Sequence, residues 1–62
     1  MTRYRCVVFQ STGNFIPYSG INFMAASDAF EDYMHVGRMI QVDRNDGDGW
    51  KNCTTYVPGR ES

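Results

Sequence analysis

Between Ala25 and Gly37 the chain reads AASDAFEDYMHVG, and no other stretch carries a helical period. A single helix cannot bury its own apolar stripe. The rest of the sequence reads as strand and turn, so a sheet is the only partner available to it. Ser27 reads as the N-cap, because its hydroxyl can accept from first-turn amides. Asp28, Glu31 and Asp32 then fall in or near the first turn, where the helix dipole favours carboxylates. Ala29, Phe30, Tyr33 and Met34 form the stripe that packs. Asp28, Glu31, Asp32 and His35 form the wet face, with Glu31 and His35 one turn apart and able to pair. Gly37 reads as the glycine that closes the helix.

Arg3 to Gln10, RYRCVVFQ, is rich in β-branched and aromatic residues and reads as a strand. Its alternation points Tyr4, Cys6 and Val8 inward, and Arg3, Arg5, Val7 and Phe9 outward. Ser11 to Asn14 is turn chemistry. Phe15 to Tyr18 returns as a short strand, and Pro17 assigns it to a sheet edge because it lacks a donor. Ile21 to Met24 reads as extended chain leading into the helix.

Arg38 to Asp43 and Trp50 to Val57 form a hairpin across RNDGDG. Asp46-Gly47 and Asp48-Gly49 are both turn signals. A two-residue turn at either pair, or a four-residue loop over both, gives the same parity. Ile40 and Val42 share a face with Cys53, Thr55 and Val57. Met39, Gln41, Trp50, Asn52, Thr54 and Tyr56 share the other. The fold class is therefore α+β: an antiparallel sheet of three to four strands with one helix packed on one face. All 62 residues form a single domain, with 58–62 as a frayed tail.

A chain this short is near the lower limit for folding without disulfides or metals. With 15% aromatic residues, its rings must supply much of the burial. A homodimer is one further source of buried area. The net charge of -1 provides no global basic field for nucleic acid. Two cysteines, Cys6 and Cys53, are too few for a disulfide framework, and they read as thiols in a reducing cytoplasm. No apolar run is long enough to span a bilayer, so no membrane role is expected. No signal-peptide core is visible.

No metal, cofactor or catalytic constellation emerges. The loop from Asp43 to Gly49 fails as a calcium site, because either frame places Arg44 or Val42 where an oxygen ligand belongs. His35 faces water while both cysteines face inward, which separates nucleophile from base. The reading is a non-enzymatic protein-binding module. Its surface consists of Asp28, Glu31, Asp32, Asp43, Asp46 and Asp48 with the aromatics Trp50 and Tyr56, on a sheet face that no second helix covers. The alternative is direct nucleic-acid binding through Arg3, Tyr4 and Arg5 with the sheet aromatics.

Phe23-Met24-Ala25-Ala26-Ser27, Ala29 and the hairpin from Met39 carry one resemblance. An extended segment runs into Ala-Ala-Ser, a short helix and then a hairpin. This pattern resembles small phage and mobile-element accessory proteins, including inhibitors of CRISPR interference complexes. It covers about Phe23 to Tyr56. It implies a compact inhibitor that binds a host complex in the host cytoplasm without catalysis of its own, and it assigns no contact residue.

Overall fold

A computed structural model describes residues 1–58 of the chain. Apart from Pro58, the expected tail lies outside the described residues. Five elements follow in order: β1 (Arg3–Gln10), β2 (Gly13–Gly20), α1 (Phe23–Tyr33), β3 (Met39–Asn45) and β4 (Trp50–Tyr56). The strands form one antiparallel sheet in the order β2-β1-β3-β4. Helix α1 lies across one face, as the lone apolar stripe requires. The most apolar strand, β1, is central, and its Cys6, Val7 and Val8 are buried.

Cys6, Val8 and Ile40 form the core, with Ala29, Phe30, Tyr33, Met34 and Tyr56 packed against them. Two edge-to-face pairs tie the helix to the sheet, Tyr4 with Phe23 at 5.2 Å and Phe15 with Tyr33 at 5.4 Å. The helix touches β1, β2 and β3 but not β4.

The helix starts earlier than Ser27 implies. Asn22 is the N-cap, and its Oδ1 accepts from the amides of Met24 and Ala25 at 2.9 and 3.3 Å. The Tyr18 hydroxyl accepts from the Asn22 amide at 3.0 Å, so a strand residue fixes the cap. Ile21 to Met24 is therefore not a further extended piece: Phe23 and Met24 are already helical. Ala26 joins the buried stripe and is fully enclosed, one turn before Ala29 and Phe30.

Starting at Phe23 also moves the carboxylates relative to the dipole. The first turn contains no acid and the last turn no base. Glu31 and Asp32 sit at the negative end, where they are unfavourable. Asp32→Lys is therefore expected to stabilise the fold by about 0.3–1 kcal/mol, raising Tm by about 2–5 °C in a calorimetric scan. The helix ends at Tyr33 with Met34 as C-cap, so Gly37 is not its closing residue. Gly37 instead turns the chain into β3.

Two bulges shape the sheet. In β2, Ile16 and Pro17 together oppose Val7, because Cys6 pairs with Tyr18 and Val8 with Phe15. Pro17 thus sits on an edge strand at an irregularity, the two places where its missing donor is tolerated. In β4, Val42 pairs with Thr54 and Asp43 with Asn52, which leaves Cys53 as the extra residue. That bulge corrects the hairpin parity. Trp50 and Asn52 keep their expected face, while Thr54 and Tyr56 cross to the helix side. The even-shift argument holds only for an unbroken ladder, and one inserted residue reverses every side chain beyond it. The hairpin uses the four-residue loop, Asp46 to Gly49, with Asn45 Oδ1 accepting from the amides of Gly47 and Gly49 at 2.7 and 3.3 Å.

Candidate functional site

The sheet face opposite α1 is built from alternate residues of β1, β3 and β4. The register places Arg3 beside Asn45, Arg5 beside Asp43 and Val7 beside Gln41, while Asp43 faces Asn52 and Asn45 faces Trp50. The face centres on Asp43, which is only 2% exposed although no element of the described residues covers it. Burying a carboxylate is costly unless its oxygens are satisfied. Here Arg5 Nε donates to Oδ2 at 3.0 Å, and Gln41 Nε2 donates to both oxygens at 2.8 and 3.0 Å. Asn52 Nδ2 completes the set at 3.4 Å from Oδ1. The Arg5 guanidinium lies 4.2 Å over the Trp50 ring, a cation–π stack held in place by the ion pair beneath it. A shallow depression beside Arg5 is lined by Val7, Phe9, Asn14, Ile16 and Gln41.

The expected acidic and aromatic surface is only partly assembled. Asp43 is internal to this network and offers no free carboxylate. Tyr56 is half-buried on the helix side, with His35 edge-on to it at 6.0 Å. His35 therefore meets Tyr56, and it makes no ion pair with Glu31 among the described residues. Asp28 and Asp32 flank a groove on the β2 side of α1. Glu31 points the other way, into a cleft on the β4 side. Asp46 and Asp48 occupy the β3–β4 loop at one end of the sheet. Asp46 accepts from the Thr2 hydroxyl at 2.8 Å and from Arg44 Nε at 3.0 Å. These two bonds, Thr2 first, hold its carboxyl below the usual range.

The basic set divides as well. Arg3 and Arg5 share the uncovered face, whereas Tyr4 lies on the helix side against Phe23. Residue-by-residue reading missed Gln41 and Asn52 as partners of Asp43. Their common parity was visible, but the alignment of Arg5 with Asp43 depends on pairing two strands that are distant in sequence.

Cys53 is exposed and Cys6 fully buried. Burial, and secondarily the Asp43 charge, push the Cys6 thiol from 9.0 up to about 11. It is neutral at physiological pH and unsuited to nucleophilic work. The shift also has a stability consequence. Above pH 9.0 an unfolded chain loses this proton while the folded chain keeps it, up to about pH 11. The folded state then binds more protons, so stability is full below that window and falls through it by at most about 1.4 kcal/mol per pH unit. Urea unfolding across the window is expected to show this alkaline limb, and Cys6→Ala to flatten it.

Among the described residues, no group of three or more His, Cys, Asp or Glu is placed to hold a metal. No helix of the described residues is long and apolar enough to cross a membrane. No protein-family model, curated protein or solved structure matches the chain.

Proposed function

We infer that this chain is a small non-enzymatic binding module. It contacts a protein partner through the uncovered sheet face, centred on Trp50 and Arg5 and bordered by Asp46 and Asp48. The observation that supports this most is the Arg5–Trp50 stack, locked from below by Asp43. Trp and Arg are the side chains over-represented at binding hot spots, and ordering them in advance reduces the entropy lost on association. Cys6 is held neutral, and His35 rests on Tyr56, so neither is set up as nucleophile or base. In its narrower form the proposal is a phage-type accessory protein, anti-CRISPR-like, that inhibits or redirects a host complex in the host cytoplasm. The resemblance around Phe23 to Ser27 motivates that form.

Affinity capture from a host lysate tests it, with and without nuclease. The wild-type chain is expected to retain a partner that survives nuclease, and folded Trp50→Ala to lose it by at least about tenfold. Reversing Asp46 and Asp48 to Lys is expected to slow association. Capture that is unchanged in Trp50→Ala would refute the proposed surface.

A second reading, direct binding of single-stranded nucleic acid, is favoured by one observation. Arg3 and Arg5 share the open face, and the Arg5 side chain is 28% exposed above Trp50, so its outer plane can stack a base. Tyr4 plays no part in it. A fluorescence titration in low salt that shows no salt-dependent binding rules this reading out.

A further inference from the structure

The sheet has two edges, and they are treated differently. On β2, Pro17 and the Ile16–Pro17 bulge interrupt the row of backbone donors, and α1 lies over the strand. Among the described residues, β4 has no proline and no helix covers it. Edge strands present unpaired N–H and C=O groups, and chains normally blunt or cover them. Beside this open edge, between β4 and α1, runs a cleft of about 450 Å³. Phe23, Phe30, Met34 and Val42 give it apolar walls, and Thr54 lies on the strand side. The bulge turns Cys53 toward it.

Its electrostatics are as uneven as its edges. Among the described residues, Glu31 is the one charged residue lining the cleft. It is exposed, and no cation of the described residues pairs with it. An apolar trough, an open strand edge and a single carboxylate together fit one kind of occupant. We propose that the α1–β4 cleft binds an extended peptide segment of a partner protein by strand addition to β4, with alternate apolar side chains in the trough and a Lys or Arg opposite Glu31. Backbone hydrogen bonds supply affinity in this mode, and the pockets for alternate side chains supply selectivity. The bulge divides the edge, so pairing uses the run from Thr54 to Tyr56. This surface lies on the opposite side of the sheet from the Arg5–Trp50 face and goes beyond the function proposed above.

A phage-displayed library of random ten-residue peptides, panned on the immobilised full chain, tests it. The enriched peptides are expected to alternate apolar residues and to carry a basic one. Synthetic versions are expected to bind at least tenfold more weakly to Glu31→Lys, and to the wild-type chain alkylated at Cys53 with N-ethylmaleimide. Replacing their strand-facing amides by N-methyl amides is expected to abolish binding. The proposal is overturned if nothing is enriched, or if the peptides bind alkylated and Glu31→Lys protein as tightly as wild type. It is also overturned if the chain self-associates through an edge that alkylation blocks, since a second copy would then fill the cleft. The alkylated chain retains its sheet face, so the lysate capture proposed above can be repeated with it and the two outcomes read separately.

Discussion

Asp43→Ala is expected to remove the larger part of the domain's stability, about 3 kcal/mol. Domains of this size rarely have more than about 3–5 kcal/mol in total. The deletion leaves Arg5 Nε, the Gln41 amide and the Asn52 amide without the acceptor they share. Each then loses a charge-assisted bond, and Arg5 becomes a half-buried cation without a counter-charge. The Arg5 side chain is 28% exposed, so water recovers part of the loss, and the expectation is set below that for a fully buried pair. Urea unfolding followed by the fluorescence of Trp50 measures it. Removing both charges together, Arg5→Met with Asp43→Leu, is expected to cost less than Asp43→Ala alone, because no orphaned cation remains. A double variant as unstable as the sum of the singles would show that the ion pair is not what stabilises this face.

The same network shows how far the sequence could be read. The α+β architecture was legible because one helical period among alternating stretches leaves a helix-on-sheet packing as the solution. The inward set Cys6, Val8, Ile40 and Val42 followed from alternation alone. What failed depended on single residues acting at a distance. Asn22 caps the helix because Tyr18 holds its amide, and Ser27 looked equally good to local rules. The inserted Cys53 reversed Tyr56, which moved an expected contact residue against the core, half-buried on the helix side, and left Trp50 on the open face. No local chemistry marks that bulge. Asp43 read as one of a cluster of loop carboxylates because its partner, Arg5, lies far away in sequence. The expected acidic surface is therefore not one patch: the helix carboxylates divide between two grooves, and one strand carboxylate is internal.

Gly37→Ala is expected to cost about 2–3 kcal/mol, although the residue is exposed. Two independent effects act there. Gly37 has φ +80, in the left-handed region that costs an L-residue about 1 kcal/mol or more. An added Cβ would also lie 2.7 Å from the Phe9 carbonyl oxygen, and 3.2 Å from both Val8 Cγ1 and Gln10 Cγ. The first contact is with backbone and cannot be relieved by a rotamer change. That same carbonyl accepts from the Arg38 amide at 2.8 Å, next to the Phe9–Met39 pair that ends the β1–β3 ladder. Moving it loosens the point where the chain leaving α1 joins the central strand. Gly47→Ala separates the two effects. Its φ is +112, but nothing lies within 4 Å of its would-be Cβ, and the loop around it is exposed. It should therefore lose about 1 kcal/mol from backbone strain alone. If thermal unfolding gives the two variants equal losses, the close approach to Phe9 contributes nothing, and Gly37 is required only for its dihedral angle.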